Sequence, residues 1–251
     1  MIEAPFKSLR THRADILCSL VIVLAAFAAG FVYFVLNPDI SNDGTVYIRT
    51  IEAALERGVL QTHVPPLYLY LVRLIVAIFN SDIIYTGIFL NIFFFSLTAG
   101  LCFLIGRIMT GRIEPGVWCA LLLIFQQNAL SFACDFLREG MYLFMTAAFL
   151  LALTCAVRYA SLWWWGAVGA FNTLAFFTRY EGAELLMLVP VGLFISRRLF
   201  KRSVKNVALS FLAFVVGCAC TLILLRVLNV SFEFIVIMKP HMISHGIIGT
   251  K

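Results

Sequence analysis

The chain has 251 residues, 62% of them hydrophobic and only 13% charged, about half the usual share of charge in a soluble domain. So much apolar surface excludes a water-soluble core. The apolar runs are continuous rather than alternating, which excludes a transmembrane β-barrel, and the net charge of +6 is scattered along the chain, which argues against a nucleic-acid-binding face. The expected fold is all-α: a polytopic transmembrane helix bundle of about seven spans, forming a single membrane domain over residues 1–251.

After a cytoplasmic tail, residues 1–14, the run Asp15–Leu36 is long enough to cross a bilayer and too long for a cleaved leader. It leads into "NPDISNDGTVYIRT", which opens the outer segment 37–80. Asp39, after Pro38, reads as a turn residue. Asp43 has two readings that are not exclusive. It is a helix N-cap, or a carboxylate facing a polar cavity, where it acts as a base on an acceptor. From Gly44 to Leu60 the pattern is amphipathic, with Tyr47, Ile51, Ala54, Leu55 and Val59 on one face and Arg49, Glu52, Glu56 and Arg57 on the other.

Pro65 and Pro66 begin a second short helix, Val64–Phe79, which carries Arg73 at its middle. If this helix crossed, every later loop would flip and the basic run "SRRLFKRSVK" would lie outside, against the positive-inside bias. An arginine at mid-bilayer would add about 2.5–3.5 kcal/mol of insertion cost. Val64–Phe79 is therefore expected to lie at the outer interface. Six more spans follow: Ile83–Met109, Val117–Ala133, Met141–Val157, Leu162–Phe177, Ala183–Ser196 and Val207–Leu228. They leave the N-terminus in the cytoplasm and the segment 229–251 outside.

This topology gathers charges at the outer mouth. "FACDFLREGMY" brings Asp135, Arg138 and Glu139, and "FFTRYEGAELL" brings Arg179, Glu181 and Glu184. Both connections are so short that their charges sit near membrane depth, where charge is costly and often functional. Arg138 and Arg179 either neutralise Glu139 and Glu181 or grip an anionic phosphate bidentately. His63, His241 and His245 read as solvated loop residues, and the seven cysteines as small packing residues without disulfides or a zinc site.

The stretch "SNDGTVYIRTIEAALERGVLQTHVPPLYLYLVRLIVAIF", followed by "DFLREGMYLF" and "FFTRYEGAELL", resembles the GT-C superfamily of polyprenyl-phosphate-sugar-dependent glycosyltransferases. The nearest-looking members are the protein O-mannosyltransferases and the lipid A aminoarabinose transferases. The resemblance, over roughly residues 15 to 228, implies a seven-span module whose outer face transfers a sugar with inversion. The donor is a polyprenyl-phosphate carrier and the acceptor a lipid, glycan or protein. It makes Asp43 the loop carboxylate, Tyr47 the aromatic that follows it, Glu139 the second acidic residue with Asp135 as the alternative, and Arg179 the carrier-phosphate ligand. Arg138 and Glu181 join the substrate-binding set. Many relatives carry a second carboxylate where Gly44 stands, and no metal or other cofactor is called for.

A bacterial inner membrane follows from the same resemblance. Such relatives usually continue past this length, so a minimal module, a fragment and a partner-dependent protein are all open. A flippase for lipid-linked sugars would need a polar path, for which Asn91, Gln126, Gln127, Asn128 and Asn172 are the candidates. A non-catalytic assembly subunit is a further alternative.

Overall fold

A computed structural model describes residues 9–38, 40–57, 60, 64–228 and 230, with side chains from Arg13 onward. Asp39, Val59, His63, His241, His245, residues 1–8 and the segment 231–251 lie outside the described residues. The described chain is an all-α membrane helix bundle. Its helices are α1 (Leu9–Leu36), α2 (Asn42–Arg57), α3 (Leu67–Phe79), α4 (Ile83–Thr110), α5 (Ile113–Ile124) and α6 (Gln127–Ala133). They continue with α7 (Glu139–Tyr159), α8 (Leu162–Thr178), a 3-10 segment (Tyr180–Met187), α9 (Leu188–Leu199) and α10 (Val204–Val227).

Capping chemistry sets several boundaries. Asp82 accepts from the Tyr85 N–H at 3.0 Å and opens α4. Gly111, at φ 75°, closes it in the left-handed region that glycine adopts freely. Ser203 opens α10 by accepting from the Asn206 N–H. The expected single span Val117–Ala133 is instead α5 and α6, bent by 65°. The break falls at Phe125–Gln126, where Gln126 takes an extended backbone and its side chain accepts from the Ala129 N–H. The expected span Ala183–Ser196 likewise begins as 3-10 turns before α9 takes over.

Helices pack closest where side chains vanish. A Cβ on Gly169 would lie 2.1 Å from the Phe214 carbonyl oxygen, and one on Gly217 would lie 2.0 Å from the Gly166 oxygen. α8 and α10 thus meet backbone to backbone, as small residues allow in lipid. Exposed Ile16, Leu20 and Leu24 of α1, and Phe211, Val215 and Ile223 of α10, form an apolar belt suited to lipid.

The bundle has two chemically distinct ends. At one, Arg107 Nε donates to Asp15 Oδ1 at 2.9 Å, Arg158 donates to the Ile108 carbonyl, and Arg202 Nη2 donates to the Val157 carbonyl at 2.7 Å. Those carbonyls lie at the C-terminal ends of α4 and α7, where the helix dipole favours cations. The opposite end holds Asn37, Ser41, the 134–138 connection and Arg179. Four helices are long and apolar enough to span on their own, or five if the bent pair counts as one. α8 has 17 residues, and the expected span Ala183–Ser196 is divided between the 3-10 segment and α9.

α2 and α3 roof the end that holds Arg179. α3 has 13 residues, about 20 Å at 1.5 Å each. Its first turn and the turn that follows it meet the start of α4: the Tyr68 hydroxyl donates to the Gly87 carbonyl at 3.1 Å, and Ser81 and Thr86 share a 2.8 Å hydroxyl contact. α2 buries Gly44, Tyr47, Ile51 and Ala54. Leu55, expected with them, is 37% exposed, because it lies roughly 80° round the helix from Tyr47.

Candidate active site

The site is built on the connection between α6 and α7. Asn91, buried in α4, donates through Nδ2 to the Asp135 carbonyl at 2.9 Å and to the Leu137 carbonyl, and lies 3.2 Å from the Tyr68 hydroxyl. One amide thus pins the connection to both α4 and α3. Phe136 is fully buried and stands edge-on to Tyr68, with ring centres 5.9 Å apart. The neighbouring Asp135 Oδ1 accepts from the Phe136 N–H at 2.6 Å and from the Ser41 N–H at 3.1 Å. The carboxylate of Asp135 therefore ties α2 to this connection.

Ser41, not Asp43, caps α2: its hydroxyl accepts from the Gly44 N–H at 3.1 Å. Asp43 sits exposed in the first turn, where the helix dipole favours an anion, and has no hydrogen bond or ion pair among the described residues. A Cβ on Gly44 would lie 2.9 Å from Ile40 Cγ2 and 3.2 Å from Asp135 Oδ1. A second carboxylate at position 44 would be pressed against Asp135, which accounts for glycine there.

Arg138 and Glu139 are adjacent in sequence but face different partners. The Arg138 guanidinium lies over the Tyr47 ring, 5.9 Å from its centre. Its Nε and Nη1 are buried without a hydrogen-bond partner. Glu139 opens α7, and its Oε1 takes Arg179 Nη1 at 2.5 Å, while Oε2 is buried and unpartnered. Arg179 also grips Glu181 at two points, Nε to Oε2 at 3.2 Å and Nη2 to Oε1 at 2.8 Å. The same guanidinium covers the Tyr142 ring at 5.6 Å. The mutual neutralisation expected of both arginines thus holds for Arg179, which pairs with both glutamates, and not for Arg138.

Backbone chemistry holds Arg179 in place. Its N–H donates to the Ala175 carbonyl at 2.8 Å, its own carbonyl accepts from the Gly182 N–H at 2.9 Å, and Asn172 Nδ2 donates to the Gly182 carbonyl at 2.9 Å. A Cβ on Gly182 would come within 2.4 Å of the Phe176 nitrogen, so this turn folds back on α8 only with glycine.

Electrostatics show how the pieces converge. Burial raises the Tyr47 hydroxyl above its ordinary pKa. The cations Arg138 and Arg179 act against that rise, and the anions Glu139 and Asp43 add to it. Four charges from three separate segments therefore act on one phenol. At the rim, hydrogen bonds from Arg179 hold the Glu181 carboxyl down at about 2. Asp43, Tyr47, Arg138, Glu139 and Arg179 form the cluster, with Glu181 at its edge and Asp135 held beneath α2. Glu184 is exposed outside it.

Composition and motif gave no sign of Ser41, Asn91 or Tyr142 as site-building residues. The available signals were a serine ahead of an amphipathic run and an amide within an apolar one. Of the five polar residues that could have lined a transport path, Asn91, Gln126 and Asn172 are engaged with loop and cap backbone, and Gln127 and Asn128 are exposed. Among the described residues no three His, Cys, Asp or Glu side chains lie close enough to hold a metal ion.

Fold and cluster together define a polytopic membrane protein with a charged site at one end of its bundle. Residues 63–223 match the family model described as dolichyl-phosphate-mannose-protein mannosyltransferase, and the chain belongs to that family. It is accordingly an integral membrane glycosyltransferase of the GT-C type. The match includes Arg138, Glu139 and Arg179 and begins after Asp43 and Tyr47. None of the curated proteins compared with the chain matches it.

Proposed function

We propose that the chain transfers a sugar from a polyprenyl-phosphate carrier to an acceptor at the outer face of a bacterial inner membrane, crossing the bilayer seven times with its N-terminus in the cytosol. The observation that carries this reading is the convergence on Tyr47 of Asp43, Glu139, Arg138 and Arg179. A solvent-reachable carboxylate and an incompletely partnered guanidinium that both act on one phenol support the reading.

In this scheme an acceptor hydroxyl or amine attacks the anomeric carbon. The bond from that carbon to the phosphate oxygen breaks, and its electron pair leaves on the lipid phosphate. Asp43 takes the proton of the acceptor. The single displacement inverts the anomeric centre. Arg138 supports the departing phosphate with its two unpartnered nitrogens, and Arg179 adds to the positive field. Such fixed donors act most strongly as negative charge develops on the leaving oxygen. The free Oε2 of Glu139 accepts from a sugar hydroxyl. Tyr47 forms the apolar floor beneath Arg138, and burial there strengthens the charge interactions.

Purified protein supplied with a polyprenyl-phosphate sugar tests the reading. Asp43→Asn should keep wild-type thermal stability and lose turnover by about 10²-fold or more. Wild-type rates in that variant would remove Asp43 from the chemistry. Labelling a cysteine at position 43 from each side of sealed vesicles tests the sidedness, and labelling from the cytosolic side alone would overturn it.

A further inference from the structure

Beside the ionic cluster, α1, α2 and α6 enclose a polar cleft of about 410 Å³, within the roughly 300–1,000 Å³ of small-molecule sites. Tyr33 and Asn37 line it from α1 and the turn that follows, Ser41 from the head of α2, Ser131 from α6 and Asp135 from the connection. The polar groups facing it are hydroxyls, an amide, a carboxylate and the Cys134 thiol, beside Pro38 and without an Arg or Lys among them.

These groups are oriented in advance. Both backbone bonds to the Asp135 carboxylate fall on Oδ1, so Oδ2 remains as an acceptor whose position is already fixed. The Ser41 hydroxyl accepts from Gly44, which leaves its proton to donate. Asn37 donates to the Tyr33 carbonyl at 3.1 Å, which leaves its amide oxygen to accept. The hydroxyls of Tyr33 and Ser131 have no hydrogen bond among the described residues. Alternating donors and acceptors around an anionic centre suit a neutral, hydroxyl-rich ligand and repel a phosphate. The phosphate-gripping arginines are absent from this lining.

We infer that this cleft is a sugar-binding subsite that holds the acceptor, so that the acceptor is a glycan rather than a bare protein side chain or a phosphate-bearing headgroup. The inference rests on the transfer reaction proposed above for its place in the reaction; the binding itself does not depend on turnover. The cleft and Asp43 share the head of α2: Ser41 faces the ligand, and Asp43 follows two residues later.

Saturation-transfer NMR on the full chain in lipid nanodiscs, with methyl hexosides as probes, tests this without turnover. The wild type should transfer saturation to at least one hexoside. Ser131→Phe should abolish the transfer by filling the cleft. Tyr33→Phe, which removes only a hydroxyl and preserves the ring packing, should weaken binding about 3- to 10-fold. Inorganic phosphate should not displace the hexoside. Absence of transfer in the wild type, undiminished transfer in both variants, or displacement by phosphate would each overturn the assignment. Failure of sugar transfer from the lipid carrier, with hexoside binding intact, would instead remove the reaction and leave the subsite.

Discussion

Arg179 and Glu181, two residues apart, form an ion pair at two points, Nε to Oε2 at 3.2 Å and Nη2 to Oε1 at 2.8 Å. This is the edge with which a guanidinium grips a phosphate. The glutamate therefore occupies the face that a donor phosphate would need, while Glu139 holds the third nitrogen. Glu181→Gln keeps the shape and removes the competing charge. Its expected effect is a donor KM lowered about threefold or more with kcat little changed, read from initial rates at varied donor concentration. An unchanged or raised KM would mean that Arg179 adds nothing to donor binding.

The same pair has a defined pH window. The Glu181 carboxyl is depressed from 4.5 to about 2 by its bonds to Arg179. A group whose folded pKa is lowered adds stability above its unfolded pKa and loses it as pH falls through the folded value. The stability difference between wild type and Glu181→Gln should therefore be flat from pH 5 to 9 and shrink from about pH 4.5 toward 2. Thermal unfolding across that range checks it, and a step near neutrality would contradict the pairing.

Arg138 should separate stability from function. Its Nε and Nη1 are buried without hydrogen-bond partners, and buried donors left unpaired are destabilising. Arg138→Met should leave the melting temperature unchanged or higher, while kcat/KM falls at least about tenfold. A parallel loss of stability and activity would mark Arg138 as a structural residue.

Asn91 should behave in the opposite way. Asn91→Leu leaves the Asp135 and Leu137 carbonyls without their donor, at about 1–3 kcal/mol for each buried group so exposed. Thermal unfolding should detect the loss. Activity should fall with it, because Arg138 and Glu139 ride on this connection.

Gly182→Ala tests the second loop. Its Cβ would lie 2.4 Å from the Phe176 nitrogen and 2.5 Å from the Ala175 carbonyl carbon. Both are backbone atoms, so the turn must move, typically at about 1–3 kcal/mol. A shifted Arg179 should lower turnover more than Gly182→Ala lowers the melting temperature, and equal effects would argue against a positional role for this loop.

The sequence by itself determined the class of the protein and the location of its charges. Long apolar runs admit only membrane helices, because unpaired backbone is too costly in lipid. The periodicity of α2 fixed Tyr47, Ile51 and Ala54 as its inward face, since that face depends on local helical geometry. Asp135, Arg138, Glu139, Arg179 and Glu181 stood in short connections, which marked them as candidates before any fold was known. The tertiary structure decided what each charge meets. Arg179 reaches back 40 positions to Glu139, Asp135 reaches 94 to Ser41, and Arg138 is left with Tyr47. Those choices depend on how distant segments are brought together, and the local sequence pattern carries no record of them. The bend between α5 and α6, and the glycine contacts that let α8 meet α10, were settled the same way, by packing between helices.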